Sequence, residues 1–118
     1  MDNKTELAQQ KCVPCRGFEP ALDQESIALL HKGVPDWKVK EVKGVPRLQR
    51  SFKFDDFAEA LAFTNQVGQA AEAEDHHPLI RTEWGRVTVS WWTHKIKGLH
   101  NNDFIMAAKT DQLYSNAG

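Results

Sequence analysis

The sequence predicts a single α+β domain with elements in the order α-β-β-α-β-β-α. Three observations carry that expectation. Two pairs of short alternating segments are each joined by a glycine-bearing turn, the mark of antiparallel hairpins. Between the pairs lies one long stretch with apolar residues at spacing three and four, the mark of an amphipathic helix. The chain has 118 residues, 41% of them hydrophobic, enough for one core and no more.

The first twenty residues are polar and broken by Pro14, Gly17 and Pro20, and read as an irregular N-terminal arm. A short helix is expected from Asp23, whose carboxylate can accept from the free amides of the first turn. Ile27 and Leu30 share one face, and Gly33 with Pro35 ends the helix. His31 reads as a solvated residue of its last turn. Trp37 to Val42 alternates as a strand, Gly44-Val45-Pro46 turns the chain, and Leu48, Arg50, Phe52 and Phe54 share the parity of a second strand. The Lys- and Arg-rich opposite face is read as solvated.

Asp55-Asp56 opens the longest helix. Asp56 followed by Glu59 fits a capping box, and both acids suit the positive end of the helix. Phe57, Ala60, Leu61, Thr64, Val67, Gly68 and Ala71 are the expected buried stripe, with Gly68 and Ala71 allowing close approach to a sheet. The helix should end near Glu74, because a residue before proline avoids helical angles and Pro78 follows His76-His77. Leu79 to Glu83 and Arg86 to Trp92 form the second hairpin, with Gly85 expected at positive φ in its turn. Asn101-Asn102-Asp103 caps a last helix carrying Phe104, Ile105, Ala108 and Leu113, and Asp103 itself reads as a cap.

Titratable groups concentrate at Glu72, Asp75, His76 and His77, answered by Thr93-His94. In a two-residue loop at Trp84-Gly85, Glu83 faces Arg86, and opposed positions keep a constant sum. Arg81 then faces Thr88, Leu79 faces Ser90, and His76 faces Thr93, with His94 one step away. Opposed Cβ atoms lie roughly 5 Å apart, so three histidines are expected in one place. Imidazole titrates near neutrality and can exchange protons at working pH. Three imidazoles can also bind a metal, or can be hydrogen-bonded structural residues at a sheet end. The formal net charge is −1, which offers no field for nucleic acid or an anionic membrane. No apolar run approaches the roughly 20 residues of a membrane span, and the start lacks the apolar core of a signal peptide, so a cytoplasmic protein is expected. Cys12 and Cys15 have no second cysteine pair to complete a zinc site, and read as free thiols or a minor tie of the arm.

Glu72-x-x-x-His76-His77-Pro78, then Trp84, Thr93-His94 and Asp103, resembles the signature of the pterin-4a-carbinolamine dehydratases. Trp37, the run Phe52 to Phe57, and Gly98-Leu99 before Asn102-Asp103 extend the resemblance over roughly Leu22 to Leu113. It departs at Trp84, where tyrosine is common, and at Trp92, where a small polar residue often stands. The resemblance implies a four-stranded antiparallel sheet with helices on one face. It implies dehydration of 4a-hydroxytetrahydropterin to the quinonoid dihydropterin, which recycles the cofactor of aromatic amino-acid hydroxylases, without metal or organic cofactor. His76 and His94 are then the expected acid–base pair and His77 a pterin-orienting partner. Glu72, Asp75, Thr93 and Trp37 are the expected substrate-binding residues, Glu72 or Asp75 also biasing a histidine's protonation or tautomer. Trp37 reads equally as a core aromatic. A homodimer or dimer of dimers is expected. The alternative is a regulatory dimerisation module, like a transcriptional co-regulator, with secondary or no catalysis; a metal hydrolase on the same histidines is a third reading.

Overall fold

The structure, a computed structural model, describes residues 3–13 and 20–117, without the side chains of residues 3–5 and 117. Its elements are α1 (Asn3–Gln9), α2 (Gln24–His31), β1 (Lys38–Val42), β2 (Val45–Lys53), α3 (Phe57–Glu74), β3 (Leu79–Glu83), β4 (Arg86–Trp91) and α4 (Asn101–Ala117), with a 3-10 turn at His94–Ile96. The four strands form one antiparallel sheet in the order β1-β2-β4-β3.

The irregular-arm expectation is corrected by α1. A seven-residue helix is marginal alone and forms where packing supports it. Leu7 and Ala8 are buried, and Lys109 Nζ of α4 donates to the Ala8 carbonyl at 2.7 Å. Residues 14–19, including Cys15, lie outside the described residues, so the Cys12–Cys15 pairing has no structural account here.

Lys43 and Gly44 make the first hairpin loop, both left-handed at φ 53° and 81°, with Val42 opposite Val45. That backbone matches the twist of the flanking strands. Strand β2 therefore starts at Val45 and not, as the sequence suggested, after Pro46. Pro46 is tolerated because β4 pairs with β2 only from Leu48 onward. At the second hairpin the expected register holds: Leu79 faces Ser90, Arg81 faces Thr88 and Glu83 faces Arg86. Gly85, however, is not at positive φ. A Cβ there would stand 3.0 Å from the Phe54 carbonyl oxygen, so it is close backbone approach that requires glycine.

One sheet face carries Leu48, Phe52, Val87, Val89 and Trp91, all buried. Against it lies α3, through Ala60, Phe63, Val67 and Ala71. The buried stripe is rotated from the expected one: Phe57 and Leu61 are 46% and 44% exposed, and a Cβ on Gly68 would meet nothing within 4 Å. Phe63 takes the central place, 4.9 Å from the Phe52 ring and 5.1 Å from the Phe54 ring. Helix α4 covers the rest. Trp91 Nε1 donates to Thr110 Oγ1 at 3.2 Å. Both Trp37 Nε1 and Arg50 donate to Asp111 Oδ1, at 2.8 and 2.5 Å.

Candidate active site

Three local stops bring the site together. Asp56 caps the start of α3 by accepting from Glu59 N at 2.8 Å. Its end is made by Asp75, left-handed at φ 51° and ψ 42°. The amide of His76 reaches back to the Ala71 carbonyl at 3.1 Å, a Schellman closure with aspartate where glycine is usual. The chain turns sharply there, and His76 and His77 leave the helix axis. On the other side Thr93 and Gly98 form an isolated bridge, with Lys97 left-handed, so His94 stands on a tight loop. The third stop is the start of α4. His100 is its N-cap: its Nδ1 accepts from Asn102 N at 3.0 Å, and Asp103 Oδ2 accepts from His100 N at 2.9 Å.

These ends surround a cleft of about 310 Å³, within the usual range for small-molecule sites. It is lined by His76, His77, His94, Asp75 and Thr93, with Cys12, Val13, Glu74, Lys95 and Asn102. His76 lies flat on Trp91, ring centroids 5.8 Å apart and planes within 8°. Its Nε2 is 2.6 Å from Asp103 Oδ1, and Asp103 is fully buried. The second oxygen, Oδ2, accepts from Thr93 Oγ1 at 2.9 Å as well as from His100 N. Asp103 is thus both the cap the sequence suggested and the carboxylate that orients His76. His77 Nε2 lies 2.6 Å from Glu72 Oε1 at an exposed position. His94 packs on Trp92, centroids 4.4 Å apart, and Arg47 covers the Trp92 ring at 3.8 Å.

The structure sorts the expected residues. His76, His77, His94, Asp75 and Thr93 line the cleft. Thr93 is buried and its hydroxyl is committed to Asp103, so it positions a carboxylate and offers the substrate no free donor. Glu72 is outside the cleft lining and acts on His77. Trp37 takes the core place and not the cleft wall: it is fully buried, bonded to Asp111 and in edge contact with Phe52, and is not among the cleft-lining residues. His31 is half-buried, and its Nε2 hydrogen-bonds the Trp37 carbonyl. Sequence reasoning missed Glu74, Lys95, Asn102 and the segment Cys12–Val13, because no spacing rule links residue 12 to residue 102. Among the described residues no group of three or more His, Cys, Asp or Glu side chains is arranged to hold a metal ion.

A sheet backed by helices, with a histidine-lined cleft beyond strand and helix ends, defines a small α+β protein with room for a small molecule. Residues 20–113 match the family described as pterin 4 alpha carbinolamine dehydratase, and the chain belongs to that family. It is 57% identical to a protein of Microcystis aeruginosa provisionally named pterin-4-alpha-carbinolamine dehydratase, over 93% of this chain and 95% of that one. A similarly named protein of Nitrosococcus oceani is 58% identical over 92% and 96%. Among solved structures, the transcriptional coactivator/pterin dehydratase from Brucella melitensis superposes with a TM-score of 0.71 at 32% identity, covering 80% of this chain and 98% of its own. A pterin dehydratase-like protein described as a RuBisCO assembly factor in the alpha-carboxysome shares the fold, with a TM-score of 0.57 at 21% identity over 67% and 89%.

Proposed function

We propose that this chain is a hydro-lyase that dehydrates 4a-hydroxytetrahydropterin to the quinonoid dihydropterin and water. The observation that carries the reading is the buried Asp103–His76 pair opening on a cleft with two further histidines. The reaction protonates the C4a hydroxyl, which leaves as water, and removes the proton from N5. No covalent intermediate, electron transfer or Lewis acid is needed. Asp103 accepts a hydrogen bond from Nε2–H of His76, which leaves Nδ1 as the lone pair that takes the N5 proton. His94, exposed on its loop, donates to the departing hydroxyl. His77, steadied by Glu72, holds the pterin, and Asp75 lines the site beside it.

The test is a stopped-flow assay in which an aromatic amino-acid hydroxylase generates the carbinolamine and its decay is followed with and without this protein. Acceleration that survives chelation is the expected result, and a rate equal to the spontaneous one defeats the proposal. In this proposal the product returns to such a hydroxylase, and the chain works as a homodimer or dimer of dimers in the cytoplasm. No described helix is long and apolar enough to cross a membrane. A second reading, an interaction module, draws on Phe57 and Leu61 lying exposed on one side of α3. It predicts that histidine substitutions leave the protein's role intact.

A further inference from the structure

The family match begins at residue 20, yet the cleft is finished by residues 12 and 13. The Brucella structure, covered over 98% of its length, accounts for 80% of this chain. The Microcystis alignment spans 110 residues, more than the 99 from Pro20 to the C-terminus can supply, so it reaches into the N-terminal segment. The segment is firmly seated on both sides. Upstream, Leu7 and Ala8 bury α1 against α4. At the cleft, Cys12 N donates to Glu74 Oε1 at 2.7 Å and Val13 N donates to Asn102 Oδ1 at 3.0 Å. Asn102 Nδ2 returns a bond to the Val13 carbonyl at 2.7 Å, and Asn102 is 2% exposed. Among the described residues, the backbone bonds that hold this strap come from the helix that also carries Asp103 and from the last turn of α3. A wall held this way is organised before any ligand arrives, so little ordering cost falls on binding.

Chemistry singles out Val13. The described cleft lining is imidazole, carboxylate, amide, ammonium and hydroxyl, apart from Cys12 and Val13. The Cys12 thiol is half-buried, while the Val13 side chain is 57% exposed although its backbone is pinned. A flat heteroaromatic ligand gains hydrogen bonds at its edge from polar groups, but its face needs apolar surface. On the reading of this cleft as a pterin site, we infer that Val13 is a substrate-contacting specificity residue packing against the ring face. Asn102 is the positioning residue that holds it there.

The experiment compares wild type, Val13→Ala and Val13→Asp in two measurements. One is carbinolamine turnover; the other is equilibrium binding of 7,8-dihydropterin by quenching of tryptophan fluorescence. Val13 is exposed, so neither change threatens folding. Val13→Ala is expected to raise KM and the dihydropterin Kd roughly 3- to 10-fold, the low end for a missing apolar contact because the wall is open. Val13→Asp is expected to raise both further, with kcat within about twofold of wild type in each case. Wild-type KM and Kd in both variants, beside normal wild-type turnover, overturn the inference and leave the dehydratase reading standing. A wild type that binds dihydropterin without turnover, and loses affinity at Val13→Asp, upholds the inference and defeats the catalytic reading. A wild type that fails to bind dihydropterin overturns both.

Discussion

Asp103 shows how one side chain can serve two purposes. Its Oδ2 closes the start of α4 and its Oδ1 fixes His76. Asp103→Asn keeps the shape but removes the charge and one acceptor, and presents an amide where His76 needs an oxygen. Turnover is expected to fall between about 10² and 10⁴-fold with KM little changed, as for His76→Ala. The double variant should lose far less than the product, because the pair acts as a unit. Single- and double-variant kinetics in the carbinolamine assay check this, after circular dichroism has shown each variant folded. His100→Ala is expected to cost about 1 kcal/mol because it removes an N-cap, measurable as a shift of the urea midpoint. Cys12 makes a separate prediction. Burial, and then the Glu74 carboxylate, push its thiol up to about 12 from an ordinary value of 9.0. The folded state thus holds this proton more tightly than the unfolded chain. Its stabilising effect is complete below the unfolded thiol's range and is lost as pH rises from about 9 toward 12. Alkylation by iodoacetamide at pH 8, mapped to Cys12 by peptide mass, should be at least tenfold slower in the folded protein than in urea. Equal rates would contradict the buried thiol.

At the scale of elements, the loop from Thr93 to Gly98 sets the position of His94. Gly98 is buried, and a Cβ there would stand 2.7 Å from Ala21 Cβ. Gly98→Ala is therefore expected to cost roughly 1–3 kcal/mol, and to impair catalysis by moving His94. Ala21→Gly in the same chain should restore much of both, which thermal unfolding and turnover of the pair would show. The Asp111 junction makes a heavier claim. Asp111→Ala leaves the Trp37 indole and the Arg50 guanidinium without their shared acceptor and should cost about 3 kcal/mol. Elements like these differ in how far sequence reveals them. The second hairpin was legible, register included, because its pairing is dictated by a two-residue loop. The cap of α3 was legible because Asp56 and Glu59 are three residues apart. The buried face of α3 was legible at Ala60, Val67 and Ala71 but not at Phe63, which lies at the edge of that stripe and is drawn in by the sheet's Phe52 and Phe54 while Phe57 and Leu61 turn outward. Trp37 was ambiguous for a similar reason: its partner, Asp111, lies 74 positions away.

For the whole molecule, the sheet, its helices and the gathering of three histidines could be read from the chain. What escaped was everything that depends on distant segments meeting: α1, the Asp103–His76 bond, and the strap at residues 12 and 13. Leu7→Ala is expected to cost about 2–3 kcal/mol and to release that strap, seen as faster hydrogen exchange at the Val13 amide. The separation of Val13 from Asn102 by 89 positions carries a further consequence for the completion of the site. A chain that stops at residue 100 carries the sequence of all four strands and all five histidines, but neither the carboxylate that orients His76 nor the amide that seats Val13. The site is therefore completed only when the last helix joins, and that helix also brings the buried Phe104, Met106 and Ala107 to the core.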